Sequence, residues 1–178
     1  MYFQYSNNRV HSYFLKINKK FYKIPIITIG ICLIGILVSL IRPYEEAILP
    51  AGSMNDKLEY AYHTDQNDRK QLKSFVEYFS KLKERDAIRL NEVNRILSEQ
   101  QDLKPIEKFY AAFIYHHSDN SKDYETASKL AEAAAKEADL KDDYQVQWLR
   151  KASYDRWMLS IGKPEKYNTQ NKMSLELK

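Results

Sequence analysis

Residues 24–41, IPIITIGICLIGILVSLI, run for eighteen positions without a charge. As a helix, at about 1.5 Å per residue, this stretch is about 27 Å long, close to the hydrocarbon thickness of a bilayer. A helix apolar on every face needs apolar surroundings on every face, and a small water-soluble core seldom supplies them. The stretch is therefore expected to be a transmembrane helix, with the lipid bilayer as its partner. Pro25 falls in the first turn, where a missing N–H costs little. Arg9, Lys16, Lys19, Lys20 and Lys23 precede the run, and Arg42, Glu45 and Glu46 follow it. This bias predicts a cytoplasmic amino terminus and an exported carboxy-terminal part, periplasmic or extracellular. Tyr13, Phe14, Phe21, Tyr22 and Tyr44 flank the run and suit the interfacial belt. The alternative is a cleaved signal peptide and a secreted product. Such signals have an apolar region of about 7–15 residues followed by small residues. Here the flank reads Ile-Arg-Pro-Tyr-Glu-Glu, and only the weak Leu-Pro-Ala-Gly-Ser at 49–53 comes near that pattern. A single-pass signal-anchor is the expectation.

The overall charge of +4 conceals a segregation. Residues 1–43 hold six basic residues and no acidic one, and the other 22 Lys and Arg face all 24 Asp and Glu. The part after the run is thus slightly acidic, and no basic face is evident there to meet nucleic acid. The single cysteine, Cys32, lies inside the run and indicates no intrachain disulfide.

After the run, residues 42–53 contain Pro43, Pro50, Ala51, Gly52 and Ser53 and read as a linker. Residues 54–170 read as a helical domain and 171–178 as a tail. Alternating β-branched runs and Asn-Gly or Asp-Gly turns are missing, and apolar residues recur at helical spacing. A first helix is predicted from about 54 toward 82, with room for a break near 62–67. Its stripe would be Leu72, Phe75, Val76, Phe79 and Leu82. A second is predicted over 84–100 and a third from Asp102 or Lys104-Pro105, proline being favoured at the first helical position. A fourth, alanine-rich helix is predicted over 124–138. A fifth is capped by Asp142 or Asp143 and reaches 161, with Gly162 at the left-handed stop. The stretch YETASKLAEAAAKEA would pass for part of a tetratricopeptide or Sel1-like repeat, but no second copy exists and a solenoid is excluded. The expected fold is all-α: one transmembrane helix followed by a compact bundle of four to five helices.

Three segments of the predicted bundle carry polar motifs: Asp65-Gln66-Asn67-Asp68-Arg69, Phe113-Ile114-Tyr115-His116-His117-Ser118-Asp119, and Tyr154-Asp155-Arg156 with Gly162-Lys163-Pro164-Glu165-Lys166-Tyr167-Asn168-Thr169-Gln170. In order and spacing, over about residues 56–170, they resemble a bacterial domain family of unknown function. Its motifs are D-Q-x-x-R, an apolar run ending in Q-H-S/A-D, and D-R followed by G-x-P-x-x-Y-G-T/S-Q. His116 stands where that family has Gln, and Asn168 where it has Gly. The resemblance implies an all-helical fold and brings no known activity with it.

Asp65, Arg69, His117, Asp119, Asp155, Arg156, Tyr167 and Gln170 are the candidate polar site. His116, His117 and Asp119, with His63 or Asp65, have the chemistry of divalent-metal ligands. Adjacent histidines, however, point about 100° apart on a helix, and neither H-E-x-x-H nor E-x-x-H is present. No metal and no cofactor is therefore assigned. The structural reading makes His117 the end of an apolar stripe, Asp119 the cap of the next helix, and Asp65–Arg69 a surface pair. Nucleophile elbows and phosphate-cradling glycine loops are lacking. The expectation is thus a membrane-anchored interaction or scaffold module with a protein partner on the exported side. The alternative is a small metal-dependent or hydrolase-like enzyme using the His/Asp cluster. A small pocket joining carboxylate and imidazole would favour the second.

Overall fold

The computed structural model describes residues 19–99 and 102–170. The basic segment before residue 19, with Tyr13 and Phe14, and the tail 171–178 lie outside the described residues. The chain divides into two compact units, Met1–Arg42 and Pro43–Lys178.

The described part of the first unit is one helix, α1 (Lys19–Ile41). Over Tyr22–Ile41 it is long and apolar enough to cross a membrane. Its large apolar side chains from Tyr22 to Val38 and at Ile41 are 46–74% exposed, so nothing among the described residues supplies the apolar surroundings they require. The one hydroxyl near its start is satisfied internally, as Thr28 Oγ1 donates to the Ile24 carbonyl at 3.0 Å.

The second unit is a bundle of five helices: α2 (Met54–Lys70), α3 (Leu82–Glu99), α4 (Pro105–His116), α5 (Ser121–Ala135) and α6 (Tyr144–Ser160). A 3₁₀ turn, Leu72–Phe75, follows α2, and there are no strands among the described residues. Helix starts follow local chemistry. Ser53 caps α2 through a reciprocal box with Asp56, Pro105 opens α4, and the side chains of Asn120 and Asp143 cap α5 and α6. Gly162 follows α6 at φ +72°, where a left-handed residue ends the helix.

Helix α4 is the hub, in contact with α2, α3, α5 and α6. Its Ala111, Ile114 and Tyr115 enter one core cluster with Leu58, Val93 and Ile96. Its Phe109, Ala112 and Phe113 enter a second with Tyr62, Val146 and Leu149. Ala127, Ala131, Ala134 and Ala135 are all buried, and their small size lets α5 lie close to α4 and α6.

Two features depart from the periodicity. Helix α2 runs unbroken through 62–67 and stops at Lys70, well short of residue 82. Gln71 turns extended, its N–H goes to the Asp68 carbonyl, and the Ser74 hydroxyl donates to the same carbonyl at 2.5 Å. The stripe Leu72, Phe75, Val76 and Phe79 therefore falls on the 3₁₀ turn and the loop after it, and all four remain exposed. The stretch 43–53 also makes defined contacts with the bundle. Ala47 is buried and its carbonyl accepts from Thr64 Oγ1 at 3.1 Å. The Tyr44 hydroxyl lies 3.0 Å from Ser74 Oγ, and the Tyr44 ring stacks under Lys73 and Arg85.

Candidate functional site

The face of α2 that carries Leu58, Ala61 and Tyr62 continues one turn on as Asp65, Asp68 and Arg69. Asp65 and Asp68 are both buried. A buried carboxylate survives only if paired and hydrogen-bonded, and the partners come from α3 and from the end of α4. Asp68 accepts from Arg85 Nε at 2.6 Å and from Arg89 Nη2. Arg89, fully buried, also reaches Asp86 at 3.2 Å and Thr64 at 3.3 Å. Asp65 accepts from Arg69 Nη2 at 3.0 Å and from Gln66 at 2.7 Å, and Arg69 Nη2 bridges on to Asp86 at 2.7 Å.

His117, the residue that closes α4, joins this network. Its Nδ1 lies 3.0 Å from Asp65 Oδ2 and 3.1 Å from Arg69 Nε. One nitrogen cannot donate to the first and accept from the second. Asp65 Oδ2 also lies 3.3 Å from Arg69 Nε and can accept from both groups, whereas an unprotonated Nδ1 would set its lone pair against the carboxylate; this puts the proton on Nδ1 and leaves Nε2 without a partner among the described residues. Burial pushes the Asp65 carboxyl up, but His117 and Arg69 together outweigh it and hold the group well below the usual carboxylate range. Asp86 is held above its usual value by burial and by the charge of Asp65, against the pull of Arg69.

A cleft of about 680 Å³ opens over this network. Arg69, Asp86, His117, Asp119, Asn120 and Arg156 line it, with Leu82 and Lys83 of α3. Arg156 comes from α6 and is held by neutral groups. Its Nη1 donates to the His116 carbonyl at 2.6 Å, its Nε donates to Gln170 Oε1 at 3.0 Å, and its guanidinium faces the Tyr124 ring. No carboxylate pairs with it among the described residues. Burial lowers its pKa and the charge of Arg69 adds to that, opposed by Tyr124. A guanidinium does not give up its proton, so Arg156 is a cation with no countercharge among the described residues, on the wall of a cleft.

Four of the eight candidate residues, Arg69, His117, Asp119 and Arg156, therefore line one cleft, and Asp65 and Gln170 orient two of them. Asp155 and Tyr167 do other work. Asp155 is fully buried and accepts from the backbone N–H of Lys166 (2.8 Å), Tyr167 (3.0 Å) and Thr169 (3.0 Å) and from the Thr169 hydroxyl (2.8 Å). Burial raises its pKa, but these donors outweigh it and lower the value. The Tyr167 hydroxyl meets Arg150 at 3.4 Å, and its ring packs edge-on against Tyr154. Asn168, at φ +59°, takes the left-handed conformation that asparagine tolerates better than most residues. Asp119 is not the cap of α5, a role that Asn120 fills. It is exposed and faces Lys83 at 3.8 Å, a pair worth little in water. Neither is Asp65–Arg69 a surface pair, since its carboxylate is buried. No group of three His, Cys, Asp or Glu side chains is placed to hold a metal ion among the described residues, and exposed His63 faces Glu59 at 3.7 Å.

Sequence reasoning missed Asp86, Arg85 and Arg89. The signal was present, because the buried positions of α3 are Arg85, Arg89, Val93 and Ile96. The two arginines extend the apolar stripe upstream at helical spacing.

His116 behaves differently from its neighbour. It is buried, and its Nδ1 has no hydrogen-bond partner among the described residues. Burial, reinforced by the charges of Arg156, His117 and Arg69, lowers its pKa well below 6.5. Below about pH 6.5 the unfolded chain then binds a proton that the folded chain refuses. Stability is complete above that pH and falls as the pH drops, by up to about 1.4 kcal/mol per pH unit. Asp65 and Asp155 contribute in the same direction, but only in stronger acid, as the pH falls from the unfolded carboxylate range toward their lowered folded values. Chemical unfolding at pH 7 and pH 5 tests this, since His116→Gln is expected to flatten the loss between them. An equal loss in both proteins would assign the slope elsewhere.

Comparison with known proteins finds no matching family model, no matching curated protein and no matching solved structure.

Proposed function

We propose that the bundle is a ligand-binding module, tethered to a membrane by α1 and exported, whose cleft takes a carboxylate or phosphate group at Arg156 beside His117. The observation that carries this reading is the guanidinium of Arg156, held in place by Gln170 and the His116 carbonyl with no carboxylate paired to it among the described residues. An anion entering the cleft would supply the missing countercharge at a donor set already ordered, and the fork of the guanidinium suits two-point contact with either group. A free small molecule and an acidic group on a protein partner share this chemistry, so the interaction-module expectation narrows to one cleft.

Titration of the full chain with inorganic phosphate and with acetate, at constant ionic strength, tests the reading. The wild-type protein is expected to bind at least one of them. Arg156→Gln is expected to weaken binding by about 10–100-fold, the value of one or two charge-assisted hydrogen bonds. Equal binding by both proteins, or none by the wild type, would sink it.

The contact between Asp65 and His117 favours a second reading. A buried carboxylate 3.0 Å from Nδ1 fixes the imidazole and leaves Nε2 as the basic nitrogen, the arrangement that general acid–base catalysis uses. On that reading the anion at Arg156 is part of a substrate and His117 moves the proton. Hydrolysis of p-nitrophenyl phosphate or acetate by the wild type, abolished in His117→Gln while phosphate binding survives, would support it.

A further inference from the structure

The loop between α2 and α3 carries a dense run of exposed large apolar side chains. Phe75 is 77% exposed and Tyr78 90%, and Leu72, Val76 and Phe79 lie in the open beside them. Five such residues within eight positions is more than chance scatter on a surface. Exposed Lys70, Lys81 and Lys83 flank them, and Glu77 is the single acidic residue between Lys70 and Lys83. Aromatic side chains rimmed by lysine are the composition of a segment that lies in the headgroup region of a bilayer.

The chain itself indicates which surface covers the loop. Tyr44 follows Ile41, the last residue of α1, by three positions, and three trans peptide steps reach at most about 11 Å. Tyr44 is also tied to the base of the loop, by its hydroxyl at Ser74 and by its ring beneath Lys73, whose Nζ is 3.4 Å from the ring centre. Buried Ala47, accepting from Thr64, secures the same end of α2. The point where the chain leaves α1 and the point where the apolar loop begins are thereby joined through one tyrosine.

We infer that the loop 72–79 docks into the surface of the bilayer that α1 enters, its aromatic side chains at the level of the headgroups and the flanking Lys70, Lys81 and Lys83 on anionic phospholipid. The inference rests on α1 spanning that bilayer. With the domain already tethered, insertion of a few aromatic side chains needs little affinity of its own, because the loop meets lipid at high effective concentration. Docking would fix the orientation of the domain on the membrane.

The test uses the full chain reconstituted in vesicles of phosphatidylcholine and phosphatidylglycerol. An environment-sensitive NBD label is placed at Tyr78→Cys in a Cys32→Ser background. Lys129→Cys on the exposed side of α5 is the control, and a label on native Cys32 reports the span. The label at position 78 is expected to shift its emission to the blue and to lose intensity to lipids carrying a nitroxide high on the acyl chain, while the label at 129 does neither. Adding Phe75→Asp and Phe79→Asp, both on exposed side chains, is expected to abolish the effect at 78. If Cys32 is quenched by a deep nitroxide and position 78 is not, the docking inference is overturned and the span survives. Absence of quenching at Cys32 overturns both. Quenching at 78 that persists in the Asp variants shows that the label, and not the loop, seeks the lipid, and that too overturns the inference.

Discussion

Replacing Arg89 with alanine lowers the stability of the helical bundle by about 3–5 kcal/mol, the cost of leaving buried carboxylates without their partner. Arg89 is completely shielded from water, and its guanidinium serves Asp68, Asp86 and Thr64 at once. Truncation leaves Asp68, itself almost fully buried, with Arg85 alone. It also opens a void beside Thr64. The midpoint of thermal unfolding is expected to fall by about 10–20 °C for a domain of this size. This cost arises from removing one partner while the other stays buried. A buried ion network of this kind is weak evidence for net stability relative to a well-packed apolar core. Arg89→Lys should fall between wild type and alanine, because an ammonium keeps the charge but lacks the planar fork that reaches three acceptors. Circular dichroism melts of the three proteins test the ordering, and an alanine variant within about 1 kcal/mol of wild type would mean the cluster relaxes or takes up water.

The second large effect is at Asp155. Asp155→Ala removes the acceptor of three backbone N–H groups and one hydroxyl that fold residues 166–169 back onto α6. Hydrogen bonds to a charged group contribute about 1.5–3 kcal/mol each. The freed loop, however, can turn to water and recover part of that, so the expected net loss is about 3 kcal/mol. The consequence reaches the cleft. Gln170, anchored by its Nε2 to the Ala152 carbonyl at 3.0 Å, holds Arg156 through Oε1 and sits at the end of the same loop. Asp155→Ala should therefore weaken anion binding although the residue does not line the cleft. Asp155→Asn, which keeps an acceptor oxygen but loses the charge, should retain more of both. Phosphate titration beside denaturant unfolding separates the two effects. Full anion affinity in Asp155→Ala would show that Arg156 does not depend on the loop.

Local patterns made most of the bundle legible. The spacing of Ile106, Phe109, Tyr110, Phe113 and Ile114 behind Lys104-Pro105 describes α4 from its first residue, and all five pack into or against the two core clusters. Gly162 marks the end of α6 because only the backbone beside it has to be satisfied there. The same periodicity misleads in 72–79, where Leu72, Phe75, Val76 and Phe79 are spaced as a helix would space them. Asp68 ends α2 first, its carbonyl taken by Gln71 and Ser74 and its carboxylate by α3. Within the candidate site, the residue types in three separate motifs were apparent in the chain, but the division of labour among them was not. Arg69, His117, Asp119 and Arg156 line the cleft, Asp65 and Gln170 orient two of them, and Asp155 and Tyr167 organise the terminal loop.

By itself, then, the sequence determined what depends on neighbours along the chain. That includes an eighteen-residue uncharged helix apolar on every side, the order of the helices, the proline start of α4, the Asp143 cap of α6, and the alanine seam of α5. Only the tertiary structure decided which charges are buried and which groups meet Arg156. Asp68 can be buried because Arg85 and Arg89 arrive from another helix, and Arg156 has no countercharge among the described residues because it meets the His116 carbonyl and the neutral side chains of Gln170 and Tyr124. Helix formation is settled by residues three and four apart, whereas the cost of burying a charge is settled by whatever distant segment packs against it.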